Sequence, residues 1–393
     1  MVYSKLPPAV RNPFEYGREL GPGELADREE EIAEVRRTLL EGGKHFLIGP
    51  RRYGKSSIHN VAAIQARAEG GVVLRYNVQS YPQLQALAAA IVADTGRLVR
   101  GPVDQAAALV GRMFRALRPT LTVNPSDRSF SVHLGVASTT PPVPLLTAVL
   151  DGLERAAAET DRGVGLVLDE FQQVVAPDGE PAEAQVRAAV QEHRRVGYVF
   201  AGSDTRLLAA MTSDSSRPFY RLGSVRFLEA VPRPAFLEFL RRGFAVLHGV
   251  EPDALVSILD EAEDVPYNVQ LLAHHCWTWL REHEDSETLT GERVAAIHAD
   301  AARRLDPVYS ETWLGLTAPQ RTALQVAIAR RGEGLYTAEV TRLSGLSASS
   351  MQKALDGLVE KRVLWREARA GESRLRLEDP LFGVWVRHFT ATP

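Results

Sequence analysis

Cysteine is almost absent from this sequence of 393 residues, which contains only Cys276. A single cysteine excludes an intrachain disulfide and favours a reducing compartment, because disulfides persist mainly in oxidising ones. The sequence also lacks an apolar run long enough to span a bilayer, and its first residues lack the apolar core of a signal peptide. We therefore expect a cytoplasmic protein that makes no membrane contact.

A strong excess of charge of either sign is absent as well. The 46 lysine and arginine residues face 49 aspartate and glutamate residues, which leaves a net charge of -3. This balance excludes a global attraction to nucleic acid or anionic membranes, although a local basic face stays open. The chain is too long for one ordinary core, and we expect two or three domains.

The most informative segment that is present, Gly49–Ser56, fits the phosphate-loop pattern G-x-x-x-x-G-K-[ST]. An apolar run precedes it and a helical pattern follows it, so its backbone N–H groups and helix dipole would surround phosphate oxygens. Lys55 would reach the β- and γ-phosphates, and the Ser56 hydroxyl would ligate Mg²⁺. The predicted loop contacts with the nucleotide come from Gly49, Pro50, Arg51, Arg52, Tyr53, Gly54, Lys55, Ser56 and Ser57.

An acidic pair, Asp169 and Glu170, directly follows the nearly all-apolar segment 164–168. Ligands of parallel sheets bind at the carboxyl ends of strands, which is where this pair stands. Asp169 suits the role of a further magnesium ligand beside Ser56. Glu170 suits the role of general base for the attacking water. The alternative, a solvated loop start, loses weight because a phosphate loop lies upstream.

Five further residues are weaker candidates for the hydrolytic site. Ser203 follows the next apolar segment, where it would contact the γ-phosphate or its water; Asp204 is a rival, and a simple turn is the alternative. Arg217, Arg221 and Arg226 are candidate arginine fingers, supplied by this chain or a neighbouring copy. A solvated surface position is the competing interpretation for each arginine.

Apolar segments alternate with helical patterns over roughly the first 230 residues. Such alternation predicts an α/β fold with a doubly wound parallel sheet. Short apolar and polar steps over 120–136 add a predicted β-hairpin. The predicted strands of the sheet cover 46–48, 72–77, 164–168, 198–202 and 225–228.

Beyond residue 233 the pattern is helical only, until about residue 305. Three helical patterns and a hairpin pattern then follow, which predict a C-terminal winged helix-turn-helix. Twelve basic against ten acidic residues from Leu305 onward are a small excess for neutralising DNA phosphates. Double-stranded DNA and a protein partner both stay open. The expected contact residues are Ser347, Ser349, Ser350, Gln352 and Lys353 on the recognition helix, with Arg366, Arg369 and Arg374 on the wing.

Seven segments recur in a familiar order: Asn12–Arg18, Asp27–Ile32, Gly49–Ser56, Leu168–Gln172, Ala201–Ser203, Arg217–Tyr220 and Pro266–Leu272. In that order they resemble the archaeal-type ATPase family. This family belongs to the AAA+/STAND group of P-loop ATPases and is related to origin-recognition and cell-division-control initiators. The resemblance covers most of the chain and is most specific in the phosphate loop and the Asp-Glu-Phe-Gln segment.

The resemblance implies an AAA+-like core, a helical lid and a winged helix, with ATP and Mg²⁺ as ligands. It implies that Asn12, Phe14 and Arg28 lie near the adenine. It also implies that Pro266 and Tyr267 contact the nucleotide from the lid.

Two departures from the family pattern make nucleotide binding a firmer expectation than fast hydrolysis. Tyr53 stands where the family usually carries a small residue, and a bulky ring there would narrow the mouth of the loop. The lid position directly before Pro266 carries no arginine, because Asp264 and Val265 stand there. This is closer to STAND switches than to fast AAA+ motors.

The sequence thus predicts four parts: a nucleotide-contacting arm (1–27), an ATPase core (28–232), a helical lid (233–304) and a winged helix (305–393). The first hypothesis is a slow, magnesium-dependent ATPase that switches between ATP and ADP states. Its winged helix would bind DNA, a protein partner or a second copy of the chain. The alternative is a nucleotide-stabilised DNA-binding regulator or scaffold with negligible turnover.

Overall fold

The computed structural model describes residues 11–98, 103–123, 130–135, 141–175, 179–283, 286–369 and 372–390. The chain divides into two compact units, Gly17–Ala230 and Met1–Tyr16 with Val231–Pro393. The finer division into arm, core, lid and winged helix stays a prediction. Among the helices in the described ranges, none combines the length and the apolar character that crossing a membrane requires.

The Gly17–Ala230 unit alternates strands and helices. Its helices are α1 (Glu29–Glu41), α2 (Lys55–Ala68), α3 (Leu84–Thr95), α4 (Val103–Met113), α5 (Pro142–Ala157), α6 (Gln172–Val175), α7 (Glu180–Glu192) and α8 (Thr205–Ser213). Its strands are β1 (Lys44–Ile48), β2 (Val72–Asn77), β3 (Pro119–Val123), β4 (Phe130–Leu134), β5 (Val164–Asp169), β6 (Val196–Gly202) and β7 (Ser224–Phe227).

A five-stranded sheet organises this unit, in the order β2-β5-β6-β1-β7. Every neighbouring pair is parallel, so the predicted α/β fold with a doubly wound parallel sheet is confirmed. All positions of β5 and β6 are buried, as expected for strands that are covered on both faces. Strands β3 and β4 form the predicted antiparallel hairpin, whose turn at 124–127 lies outside the described residues.

Helix α1 packs directly on the backbone of the central strands. A Cβ atom added to Gly197 in β6 would lie 1.9 Å from the carbonyl oxygen of Thr38, and one added to Gly165 in β5 would lie 2.6 Å from a methyl carbon of Leu39. Both glycines therefore allow a helix-to-sheet approach that no side chain would permit.

The other unit is mainly helical. Its elements are α9 (Arg233–Phe244), α10 (Pro252–Glu261), α11 (Pro266–His283), α12 (Gly291–Arg303), α13 (Asp306–Leu314), α14 (Ala318–Ala329), α15 (Ala338–Ser344), α16 (Ala348–Glu360), β8 (Leu364–Arg369), β9 (Glu372–Leu377) and α17 (Pro380–Phe389).

The order from α14 to β9, three helices and then an antiparallel hairpin, is the order of a winged helix-turn-helix. Thr317 caps α14 in a capping box with Gln320, and Ser347 caps α16 by accepting a hydrogen bond from the Ser350 N–H. Helix α17 contributes Trp385, which is 4% exposed, to the hydrophobic core of this C-terminal segment. These side chains make the C-terminal helices a packed module.

The glycine contacts predict a stability difference between two otherwise identical substitutions. Gly197→Ala should lower the free energy of unfolding by about 1–3 kcal/mol, because the methyl group cannot fit without moving α1 away from β6. Gly111→Ala in α4 is the matched control, since its Cβ would meet no atom within 4 Å. It should instead stabilise the helix by about 0.5–1 kcal/mol. Urea unfolding followed by circular dichroism measures both, and equal midpoints would contradict this account.

Candidate nucleotide-binding site

The predicted phosphate loop connects β1 to α2 and turns sharply at two left-handed residues, Arg52 (φ 69°) and Gly54 (φ 87°). The first residue of the loop is Gly49. A Cβ atom added to Gly49 would lie 2.8 Å from the Cβ of Leu228. Glycine is therefore required at Gly49 for space and is favoured at Gly54 by its backbone angle. Helix α2 begins immediately afterwards, at Lys55.

Lys55 is held inside this loop. Its side chain is only 5% exposed, and Nζ donates hydrogen bonds of 2.8 Å to the carbonyl oxygens of Gly49 and Pro50. Burial lowers the pKa of Lys55 to about 8, although the carboxylates of Asp169 and Glu170 oppose this shift. The ammonium group is thus poorly compensated by its surroundings and suits an anionic ligand.

Asp169, at the end of β5, meets Ser56 at the start of α2. Ser56 Oγ donates a 2.8 Å hydrogen bond to Asp169 Oδ2, and His59 Nε2 lies 3.1 Å from the same oxygen. Burial alone would raise the pKa of Asp169, but His59, Ser56 and the charge of Lys55 together lower it well below its usual range. The carboxylate is therefore ionised at neutral pH despite being 5% exposed.

A hydroxyl and an ionised carboxylate are the hard oxygen donors that Mg²⁺ prefers, so Ser56 and Asp169 fit the predicted metal site. Within the described ranges, no group of three or more His, Cys, Asp or Glu side chains could hold a metal by itself. A magnesium ion here would therefore need further oxygen ligands from phosphates and water, as it does in many phosphoryl-transfer sites.

Glu170 and Ser203, which follow neighbouring strands, are in direct contact. Ser203 Oγ donates a 2.8 Å hydrogen bond to Glu170 Oε2, and Gln172 Nε2 donates to the same oxygen. Glu170 has a left-handed backbone (φ 54°), and its N–H donates to Asp169 Oδ1. The rival residue Asp204 instead caps α8 by accepting from the Leu207 N–H.

The candidate arginine fingers differ in their surroundings, and Arg226 is paired with Glu34. The Arg217 guanidinium forms a two-point ion pair with Glu183, whose side chain is 1% exposed. Arg221 is exposed, and its guanidinium lies 5.1 Å from the centre of the Tyr220 ring. Arg217 therefore has a structural contact to maintain, whereas the Arg221 side chain reaches solvent. The finger role of each residue stays a prediction.

Arg28, Ser57 and Tyr53 are all buried in the Gly17–Ala230 unit. Arg28 donates to the carbonyl oxygen of Glu229 over 2.7 Å, and Ser57 Oγ accepts a 3.0 Å hydrogen bond from the Leu20 N–H. The Tyr53 ring is 2% exposed. Arg51, by contrast, is exposed and Arg52 is half-buried. The nucleotide contacts predicted for these residues stay predictions.

Asn12, Phe14, Pro266 and Tyr267 belong to the mainly helical unit. Phe14 is fully buried, with its ring centre 4.9 Å from that of Phe244, and Asn12 Nδ2 donates to the carbonyl oxygen of His274. Pro266 opens α11, and Tyr267 lies in the first turn of that helix. These contacts are structural ones within the unit, and the predicted approach to adenine and nucleotide stays a prediction.

Two residues near the site are not among the predicted ones: His59, which adjoins Asp169, and Arg75, which contacts His59. His59 is 2% exposed, and its Nδ1 accepts a 3.1 Å hydrogen bond from Arg75 Nε. His59 stands three positions after Ser56 on α2, so both lie on one helix face. Arg75 interrupts the apolar residues Val72–Tyr76 of strand β2. The spacing of Ser56 and His59 and the position of Arg75 within β2 are the signals that the sequence offers for these two residues.

Comparisons with known proteins support the fold. No protein family matches the sequence, and neither does any curated protein. A Walker-type ATPase of Pyrococcus abyssi is similar over 95% of this chain and 99% of that chain, at 16% identity and a TM-score of 0.57. The Aeropyrum pernix ORC2 protein, solved as ADPNP-ADP complexes, is similar over 96% of each chain, at 15% identity and a TM-score of 0.52. The predicted resemblance to AAA+ ATPases of the origin-recognition kind is therefore confirmed at the level of fold.

The pKa of Lys55 predicts how metal-free nucleotide binding depends on pH. Phosphate oxygens favour the charged ammonium, so the lysine must gain a proton on binding wherever it is neutral beforehand. With a pKa of about 8, the affinity for ATP should fall about tenfold between pH 7 and pH 9. Titrations with a fluorescent ATP analogue in EDTA measure this change. Lys55→Arg is the control: its guanidinium stays charged, and a slope as steep as that of the unsubstituted protein would contradict the assignment.

Proposed function

We propose that the protein is a magnesium-dependent ATPase with slow turnover, which acts as a nucleotide switch. The observation that carries this proposal is the hydrogen bond between Ser56 and Asp169 beside the buried ammonium group of Lys55. Lys55 and Ser56 belong to the phosphate loop, and Asp169 adds a carboxylate from the end of β5. That combination suits a triphosphate with its metal ion.

Each residue has a role that follows from its chemistry. Lys55 and the backbone N–H groups of the loop would hold the β- and γ-phosphates, and Ser56 with Asp169 would hold Mg²⁺. The bound ion would neutralise charge that develops on the transferred phosphoryl group. Glu170, the residue after Asp169, would orient the attacking water and accept its proton.

Slow turnover is supported by the contacts of Glu170. Its Oε2 accepts hydrogen bonds from Ser203 and Gln172, so protein donors rather than water satisfy that oxygen. Arg217, one of the candidate fingers, is paired with the buried Glu183. These contacts also favour the second candidate function, a nucleotide-stabilised DNA-binding regulator or scaffold with negligible turnover.

Coupling of the lid to the wing is supported by contacts within the mainly helical unit. Arg376 of β9 is 7% exposed and donates hydrogen bonds to the backbone oxygen and the carboxylate of Glu263. Glu263 and Asp264 both have left-handed backbones, with φ of 53° and 58°. Pro266, a proposed nucleotide contact, follows two residues later. A movement of the lid at Pro266 would therefore act on the wing through this strained turn.

The proposed ligand of the winged helix is double-stranded DNA, with protein docking or self-association as the alternative. Ser349, Ser350, Gln352 and Lys353 are exposed at the start of α16 and present polar groups to a partner. Arg366 of the wing is exposed but pairs with Asp356 on α16. The side chain of Arg369 lies outside the described part of the chain. Polar and basic side chains of this kind suit contacts with a groove.

Two substitutions separate binding from hydrolysis. Lys55→Ala should abolish ATP binding, because the phosphates lose their buried cation. Glu170→Gln should retain binding and lose turnover by at least about a hundredfold, because the amide cannot accept a proton from water. Calorimetry measures binding, and phosphate release with and without duplex DNA measures turnover.

Lys361→Ala serves as the control for loss of a lysine, since Lys361 contacts Gly315 and Gln320 in the mainly helical unit. ATP binding by Lys55→Ala at the level of the unsubstituted protein would refute the site assignment. Robust phosphate release by the unsubstituted protein would exclude the second candidate function.

Binding to duplex DNA should be measurable at low salt and should weaken as salt increases, because phosphate contacts release counterions. Lys353→Ala should reduce the slope of log affinity against log salt by about one. Lys361→Ala at the far end of α16 should leave this slope unchanged. Fluorescence anisotropy with a labelled duplex over several salt concentrations measures both. An absence of binding at low salt would reject DNA and leave protein docking as the role of the module.

A further inference from the structure

The carboxylate of Asp169 is approached from several sides. Oδ1 accepts a 3.0 Å hydrogen bond from the Glu170 N–H, and Oδ2 accepts the hydrogen bond from Ser56. His59 Nε2 lies 3.1 Å from Oδ2, which is ion-pair distance, but its angle falls outside hydrogen-bond geometry. The orientation of the carboxylate is thus set by partners outside the phosphate loop as well as by Ser56.

The contact with Arg75 determines which nitrogen of His59 carries a hydrogen. A guanidinium can only donate, so the bond from Arg75 Nε makes His59 Nδ1 an acceptor. In the neutral imidazole the hydrogen must then be on Nε2, the nitrogen that faces Asp169. The ring therefore presents an N–H group to the carboxylate oxygen.

Arg75 is itself held in place by two further contacts. Nη1 donates over 2.7 Å to the Asn60 side chain, and Nη2 donates over 2.8 Å to the carboxylate of Glu19. The side chain of Arg75 is 18% exposed. A planar guanidinium that is bound at three nitrogens has little freedom to rotate, and so it keeps His59 in one orientation.

We propose that His59 and Arg75 are positioning residues that set how tightly Asp169 binds Mg²⁺ in the nucleotide complex. This proposal rests on the proposed magnesium-dependent ATPase function. Removing a residue that contacts a metal ligand from outside the coordination sphere commonly changes metal affinity by about 10- to 100-fold. Neither residue needs to touch the phosphates or the attacking water.

The decisive measurement compares nucleotide affinity with and without the metal. In EDTA, His59→Leu should bind a fluorescent ATP analogue as the unsubstituted protein does. In a magnesium titration, its half-maximal gain in nucleotide affinity should require about tenfold more Mg²⁺. His59→Gln keeps an N–H donor and should recover part of this loss. Arg75→Met should shift the magnesium requirement in the same direction, because the imidazole loses the contact that orients it.

His193→Leu is the matched control for loss of a buried histidine. His193 is 5% exposed and bonds to Tyr198 and Asp151 near the amino end of β6, whereas the candidate site lies at the carboxyl ends of the strands. This substitution should lower the melting temperature and leave the magnesium requirement unchanged. An equal shift in His193→Leu and His59→Leu would overturn the proposal, because the effect would then be one of stability.

The outcomes also separate this proposal from the proposed function. If the unsubstituted protein responds to Mg²⁺ but folded His59→Leu has the same magnesium requirement, the positioning role is wrong and the ATPase function stands. If the unsubstituted protein shows no magnesium-dependent nucleotide binding, the proposed function fails and this proposal fails with it. Should His59→Leu not fold, Arg75→Met decides by the same titration.

Discussion

The hydrogen bond from Ser56 to Asp169 joins segments that lie 113 residues apart in the sequence. It exists because the sheet sets β1, β6 and β5 side by side and parallel, so that the loops after β1 and β5 leave at one edge. The proposed roles of the phosphate loop, the metal ligands and Glu170 all depend on this strand order. A different order would keep every motif in the sequence and separate the motifs in space.

The same juxtaposition places charges where water does not reach. Lys55 and Asp169 are each 5% exposed, and buried charges are costly unless they are paired. Asp169 is well compensated, as its lowered pKa indicates. Lys55 is not: two carbonyl oxygens are its hydrogen-bond partners, and burial lowers its pKa. Phosphate oxygens would compensate Lys55 better, so part of the cost of burying the ammonium would be returned as affinity for an anion.

The parts of the fold that sequence predicts well are those with a local signal. A pattern of only a few residues predicts each of three features: the apolar strands, the phosphate loop and the acidic pair after β5. The partners of buried charged groups have no such pattern. Glu183 is 1% exposed and pairs with Arg217 from 34 positions away, and nothing in a pattern selects it among the acidic residues. The local signals at His59 and Arg75 do not reveal the contact between them, because it arises only when α2 packs on β2.

For the proposed slow hydrolysis, the structure favours Glu170 over Tyr53 as the physical reason. Tyr53 is 2% exposed, so its ring packs within the protein, whereas Glu170 Oε2 accepts hydrogen bonds from Ser203 and Gln172. A water that used this oxygen would have to compete with both donors. The hydrogen bonds that Ser203 and Gln172 donate to Glu170 do not involve Lys55, Ser56 or Asp169. Turnover would therefore be restrained while the groups proposed to hold phosphate and metal stay in place, and a long-lived ATP state is what a nucleotide switch requires.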